Sequence, residues 1–242
     1  MHIKLDIVFI VDVTGSMGSF IGSAKSYLRD SMKKYEASGI DASYSLILYR
    51  DHPPQDNSFA SRIFLDNGSA EELHTALRHK HFAASGGGDA PESGLDAIME
   101  LHKLSFRRDS IRYAFIIGDA PLHGAYPNSN ACTCGLTIKD VRTVLEKMSI
   151  VLIGIPLTRH THFDRFCDEI QSADYDGVSS ITDYLMGLKD KINWAVDNVF
   201  PILTENSLTT NTELSKMLNV PTKTISESIE LLNLIGITDT LI

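Results

Sequence analysis

Cysteine is scarce in this 242-residue sequence: there are three, and two of them form the pair Cys132-x-Cys134. So few thiols, odd in number, exclude a disulfide framework and suit a reducing, cytoplasmic setting. Basic charge is also in short supply. Lys and Arg total 22 against 31 Asp and Glu, a formal net charge of −9. That balance argues against general binding to nucleic acid or membrane surfaces, since both reward basic patches. No apolar run approaches membrane-spanning length. The start, MHIKLDIVFIVDV, sets Lys4 before an apolar run, but Asp6 interrupts it and no small-residue cleavage site follows. A strand is expected there, not a signal peptide. Several catalytic signatures are missing too. There is no G-x-x-x-x-G-K-[ST] phosphate loop and no G-x-G-x-x-G after a strand, and TGSMG around Ser16 lacks the first glycine of a G-x-S-x-G elbow. Nucleotide hydrolysis, nicotinamide binding and serine nucleophile chemistry lose their main motifs.

The residues that are there, 43% hydrophobic and 22% charged, have the balance of a soluble globular chain. Apolar runs at 3–11, 42–49, 111–118 and 149–155 have the pattern of strands buried on both faces of a parallel sheet. A shorter segment, 61–65, has polar flanks and reads as a sheet edge. Between the runs, apolar residues recur at helical spacing. Phe20, Ala24, Leu28 and Met32 mark one helix, ended by Gly39. Leu95, Ile98 and Met99 mark another, with Pro91 in its first turn, and Val141, Val144, Leu145 and Met148 a third. Phe163, Phe166, Cys167 and Ile170 suggest a short helix, and Ile181 to Val199 a long one. Ser69-x-x-Glu72 and Thr137-x-x-Asp140 open helices as capping boxes. Strands alternating with helices predict an α/β fold, a doubly wound, mostly parallel sheet. Pro201 predicts a boundary, giving a domain over 1–200 and a small helical appendage over 201–242.

In such a sheet ligands gather at the carboxyl ends of the strands. The stretch 7–18, IVFIVDVTGSMG, ends its apolar run in Asp12, with hydroxyls at Thr14 and Ser16 and glycines that permit a tight turn. Asp119 follows the run 111–118, and Asp89 sits in GGGDAPE before a helix. Carboxylates and hydroxyls together are hard oxygen donors, the chemistry of Mg²⁺ or Mn²⁺. For the first loop alone, helix capping explains the same residue types; three loops in order favour a metal. Asp51, ending the 42–49 run, either orients part of the site or caps the turn before Pro53.

These motifs carry a family resemblance. DVTGSM resembles the DxSxS-type signature of von Willebrand factor A domains, with Thr14 in place of the first Ser, and GGGDAPE and DAPLHG resemble the family's second and third metal loops. YRDHPP resembles the segment after the second strand in intracellular von Willebrand A domains, including those fused to alpha-kinases. The resemblance covers roughly residues 3–200. It implies a metal-ion-dependent adhesion site, or MIDAS. Thr14 and Ser16 would bind the ion directly and Asp12 and Asp119 mainly through water, while Asp89 stands where many members have Thr. One position would remain for water or for an Asp or Glu of a protein partner. The implied activity is binding, not catalysis, and a hydrolase using the same ligands lacks an evident general base. In many such domains the last helix shifts as the metal loops rearrange, which would connect the site to the appendage.

Other features have blander readings. His123, Cys132 and Cys134 are zinc-type donors, but their spacing fits no standard finger and a fourth ligand is not evident. The alternative is a loop with two free thiols. His74, His79, His81, His160 and His162 read as surface residues. In the appendage, Thr210 or Asn211 opens a helix with Leu214, Met217 and Leu218 inward, and Asn219-Val220-Pro221 turns the chain. Thr222 then opens a second, with Ile225, Ile229, Leu232 and Ile235 inward and Gly236 closing it. This pair resembles the helix-turn-helix core of winged-helix regulators. A DNA reader places basic side chains on the second helix; here Lys223 faces Glu227 and Glu230. A protein-contact module is expected, and the alternative is a DNA-associated regulator with the A-type domain as sensor.

Overall fold

The computed structural model describes residues 4–37, 41–88, 90–125, 132–171, 179–205 and 209–234. Gly39, Asp89, Ile235 and Gly236, named above, lie outside them. The chain divides into two compact units, Met1–Ile181 and Thr182–Ile242.

The first unit is built on one six-stranded sheet, ordered β3-β2-β1-β4-β5-β6. At its centre β1 (Lys4–Asp12) lies between β2 (Asp41–Tyr49) and β4 (Ser110–Gly118). On one side β5 (Ile150–Pro156) and the two-residue β6 (Glu169–Ile170) extend it, and β3 (Ser61–Gly68) closes the other. All pairings are parallel except β2 with β3. This is the mostly parallel, doubly wound arrangement the alternating pattern predicts. Strand order runs outward in both directions from β1 and β4, so the crevice at their carboxyl ends is the switch point. The register sets Asp12 beside Tyr49 and Val11 beside Ile117, so Asp12 and Asp119 emerge at about the same level.

Alternation sorts β1 into two faces. Val8 and Ile10 pack with Ile47 and Ile116 against Leu95 and Ile98 of α3 (Gly94–Met99) and Val141 and Leu145 of α4 (Ile138–Lys147). On the other face Phe9 stacks on Phe115, ring centroids 5.9 Å apart. Leu28 and Met32 of α1 (Gly18–Ala37) are likewise buried. Burial on both faces explains the unbroken apolar runs. Asp6 is the exception within β1. Its carboxylate accepts hydrogen bonds from Ser43 Oγ (2.8 Å), Ser110 Oγ (2.7 Å), Arg107 N (2.7 Å) and Arg107 Nε (2.6 Å). Burial pushes its pKa up, but the bonds from Ser110, Ser43 and Arg107 outweigh burial and hold it below the usual value. Both capping boxes form. Ser69 Oγ accepts from Glu72 N at the start of α2 (Ala70–Ala76), and Asp140 accepts from Thr137 N (2.9 Å) and Oγ1 (2.6 Å) at α4.

Three local expectations change. The segment through Phe163 and Ile170 is a 3₁₀ turn, Phe163–Arg165, followed by β6. The edge of β5 offers Ile153 and Gly154 to Glu169 and Ile170, so strand pairing, not a helix, satisfies that backbone. Pro91 precedes α3 and does not open it. Glu92 N bonds Pro121 O (2.9 Å) and Ser93 N bonds Arg50 O (2.8 Å), holding the segment against neighbouring loops until Gly94. Pro201 does not end the long helix. The helix α5 (Ser179–Trp194), whose residues from Thr182 on belong to the second unit, passes through a π turn, Ala195–Val199, into α6 (Phe200–Glu205). Proline lacks the helical N–H and its ring presses on the preceding turn; the wider π turn just before it accommodates both. Asn198 Nδ2 bonds Trp194 O there at 2.9 Å.

Two further helices, α7 (Asn211–Leu218) and α8 (Thr222–Leu234), complete this unit. Thr210 and Glu213 form the capping box of α7. Leu214, Ile225 and Leu232 pack with Ala195 and Val199 as its core, while Met217, expected inward, is 64% exposed. Among the described residues no helix is long and apolar enough to cross a membrane.

Candidate metal centre

Asp12, the last residue of β1, is fully buried. Its Oδ1 accepts hydrogen bonds from Thr14 N (2.8 Å) and Thr14 Oγ1 (2.6 Å). Thr14 Oγ1 lies 3.1 Å from Ser16 Oγ, which donates to Asp119 Oδ1 at 3.0 Å. Side-chain oxygens from two loops therefore make one connected row. The other carboxylate oxygen, Asp12 Oδ2, is buried with no hydrogen-bond partner, a costly state for a polar atom. Helix capping does not account for this geometry. Thr14 stands at the N-cap of the 3₁₀ turn Gly15–Met17, yet its side chain makes no capping bond. Its hydroxyl turns to Asp12 instead.

Burial pushes the Asp12 pKa up to about 7 against the pull of the Thr14 hydrogen bonds, and the charges of Asp119 and Asp51 add to the rise. The row is short of positive charge. A divalent cation beside Asp12, Thr14, Ser16 and Asp119 would supply it, and an all-oxygen donor set fits hard ions such as Mg²⁺ or Mn²⁺.

The glycine-rich segment forms a facing wall. Gly15 N donates to Gly86 O and Ser85 N to Val13 O, each at 3.0 Å. Gly86 and Gly87 have φ of +73° and +70°, which L side chains resist. A Cβ on Gly86 would run into the Asp56 carboxylate, and one on Gly87 would press on Thr14 and Glu92. Asp56 Oδ2 accepts from Gly87 N (3.2 Å) and pairs with buried Arg50 at 3.4 Å, whose Nη2 reaches Ser85 Oγ at 2.7 Å. The walls enclose a cleft of about 500 Å³ that Thr14, Ser16, Glu92, Asp119 and His160 help to line.

The structure thus brings four of the five sequence candidates together: Asp12, Thr14, Ser16 and Asp119. Asp89 lies outside the described residues. Glu92, three positions later in the same GGGDAPE loop, lines the cleft at 3% exposure; the motif holds two acids, and its sequence pattern singles out only the first. His160, read as surface, is exposed but borders the cleft. Arg50 and Asp56 frame the glycine wall, and only the dense polar run RDHPPQD marked them. Asp51, fully buried, accepts from His52 N (2.6 Å) and His123 Nε2 (2.9 Å) through Oδ1. That bond engages His123 Nε2, and the imidazole gathered with Cys132 and Cys134 is that of His52. Cys132 and Cys134 are not free thiols but are bonded to each other. The ring spans one intervening residue and staples nothing distant.

No family model matches the chain. The alpha-protein kinase vwkA of Dictyostelium discoideum is 31% identical over 157 residues, 60% of this chain and 24% of the kinase. The ariadne-like RING finger protein R811 of Acanthamoeba polyphaga mimivirus is 30% identical over 200 residues, 78% of this chain and 19% of that protein. The chain therefore spans less than a quarter of the length of each of these curated relatives. Among solved structures, proximal thread matrix protein 1 from the mussel byssus matches with a TM-score of 0.54 at 11% identity, over 76% of this chain and 45% of that one. A structure of the same protein with a zinc-occupied MIDAS motif gives 0.55 at 12%, over 78% and 46%. At these identities the likeness is one of fold, and the fold is of the von Willebrand A type.

Proposed function

We propose that the chain is a von Willebrand A-type module that recognises a partner protein through a divalent ion at the carboxyl ends of β1 and β4. The observation that carries this reading is Asp12 Oδ2: a buried oxygen with no hydrogen-bond partner, on the carboxylate whose other oxygen, Oδ1, begins the row of side-chain oxygens that ends at Asp119. Asp12, Thr14, Ser16 and Asp119 hold the ion, the Asp89 loop adds a further oxygen, and the ion is Mg²⁺ or Mn²⁺. When bound, it offers an electrophilic position to a carboxylate from outside. The chain's own residues prepare that position. Thr14 orients the Asp12 carboxylate, and Thr158 Oγ1 donates to Asp119 O at 2.6 Å, steadying the third loop. The glycine wall carries no Cβ that would narrow the cleft, so an Asp or Glu of the partner can enter.

The zinc-occupied MIDAS of the mussel protein supports a divalent ion at this place in the fold. In the kinase and RING-finger relatives the matched part is a small fraction, which supports a module within longer chains; in this reading it docks a partner and does not catalyse. The second unit is a protein-contact element in this reading: on α8, Lys223 lies 3.8 Å from Glu227, which offsets the charge a DNA phosphate would need. The scarcity of cysteine supports a cytoplasmic setting, in which the Cys132–Cys134 bond would be reduced.

Thermal melts in EDTA, Mg²⁺ and Mn²⁺ test the ion. At about a hundred times Kd the metal should stabilise by ~2.7 kcal/mol, about 5–10 °C for a domain of this size. Asp12→Ala should lose the shift. A wild-type chain that melts at one temperature with and without metal overturns the reading.

A further inference from the structure

His52, Asp96, Cys132 and Cys134 lie apart from the row of oxygens, and their donor atoms all fall within 4.8 Å of one another. His52 Nε2 is 3.1 Å from Asp96 Oδ2 and 3.4 Å from Cys132 Sγ. Cys132 Sγ is 3.5 Å from Asp96 Oδ2, and Cys134 Sγ is 3.2 Å from Asp96 Oδ1. Tetrahedral zinc, with bonds of about 2.3 Å to sulfur and about 2.0–2.2 Å to nitrogen or oxygen, sets its donors about 3.3–3.8 Å apart. These four separations are close to that, and the two sulfurs can reach it only once their bond is broken. With the sulfurs bonded to each other, the Asp96 carboxylate faces two atoms that have no hydrogen to give. A cation at the centre is what the group lacks.

We propose that the reduced Cys132 and Cys134, with His52 and Asp96, bind one Zn²⁺. Reduction by a trialkylphosphine and one water breaks the sulfur–sulfur bond. The phosphine gives up two electrons and leaves as its oxide, and the two protons of the water end on the two thiols. Zinc then displaces both protons to solvent, because the thiolate is the ligand. The supports are already in place. Asp51 Oδ1 accepts the His52 N–H at 2.6 Å, and Asp96 sits on α3 between buried Leu95 and Ala97. Gly135 N bonds Cys132 O at 2.8 Å, and Gly124, at φ +76°, lets the cysteine turn approach where a Cβ would meet Leu136 O. Sulfur and imidazole favour zinc over Mg²⁺ and Mn²⁺; because a MIDAS can also take zinc, Asp12→Ala is the control that separates the two sites.

The test is a metal titration of the full chain after phosphine treatment and removal of phosphine and metal. One equivalent of Co²⁺ should give thiolate-to-cobalt charge transfer and the intense visible bands of a tetrahedral ion, and one equivalent of Zn²⁺ should bleach them. Asp12→Ala should keep the bands. His52→Ala should weaken Zn²⁺ by more than about 100-fold, the upper end of what losing a mere supporting group costs. Because a variant can unfold, the wild type is also labelled with N-ethylmaleimide. Zn²⁺ should slow labelling of Cys132 and Cys134 relative to the metal-free chain, because a zinc-bound thiolate is withheld from the reagent. No charge-transfer band, or equal labelling of the pair with and without Zn²⁺, overturns the proposal.

Discussion

At the scale of single residues, a proton and the proposed metal would compete for Asp12. Its pKa is about 7 in the folded chain against an ordinary 3.8. Below the ordinary value the carboxyl is protonated in both states, and its contribution to stability is fully present. As pH rises towards about 7 the unfolded chain releases a proton that the folded chain keeps, so metal-free stability declines across that window. Asp6 has the opposite sign: its lowered pKa adds stability that is present above the ordinary value and lost as pH falls. Comparison with Asp12→Asn therefore isolates the first effect. In EDTA, the wild-type melting temperature should fall relative to Asp12→Asn between pH 4 and 7. The Mg²⁺ shift should grow over the same interval. A constant difference across those pH values would remove Asp12 as the titrating group. Asp12, Thr14 and Ser16 were legible because their chemistry is local: alternate positions on one turn. Glu92, His52 and Asp96 were not, because each is recruited by chain neighbours distant in sequence, and nothing at short range marks which acid or imidazole faces inward.

At the scale of elements, the glycine wall makes a paired prediction. Gly86→Ala combines a left-handed backbone with a collision against Asp56, and should cost about 1–3 kcal/mol in urea unfolding and reduce the Mg²⁺ shift. Gly22→Ala, in α1 with nothing within 4 Å of a new Cβ, should instead stabilise by about 0.5–1 kcal/mol. Equal effects at the two sites would discount the wall. The main strands and both capping boxes were legible from period and cap chemistry. The segment 163–170 was not: Phe163 and Phe166 have helical spacing, but an open strand edge competes for the same backbone. Pro201 misled for a related reason. A proline stops an α-helix but not one that widens a turn ahead of it.

At the scale of the whole molecule, the two ends of the sheet have different tasks. The amino end is clamped by Arg107, which bonds Asp6, the Asp41 carboxylate (2.6 Å) and the carbonyls of Leu5 (2.8 Å) and Asp41 (2.9 Å). Arg107→Ala leaves Asp6 buried without its cation and should cost about 3–5 kcal/mol in urea unfolding. The Mg²⁺ shift should survive, since the clamp lies at the far end of β1; its loss would show that the ends are not separable. At the carboxyl end one short piece of backbone faces two ways. From Arg50 to Asp56 it hands an arginine and a carboxylate to the glycine loop, a second carboxylate to His123, and an imidazole to the cysteine turn. The count of residues in that segment is therefore constrained from both sides. A lengthened surface loop is ordinarily a cheap change, but here a single inserted residue would shift Arg50 and His52 against Asp56 and would disconnect the two proposed metal sites in one step. Related chains should vary freely in the identity of residues 53–55 and hardly at all in their number.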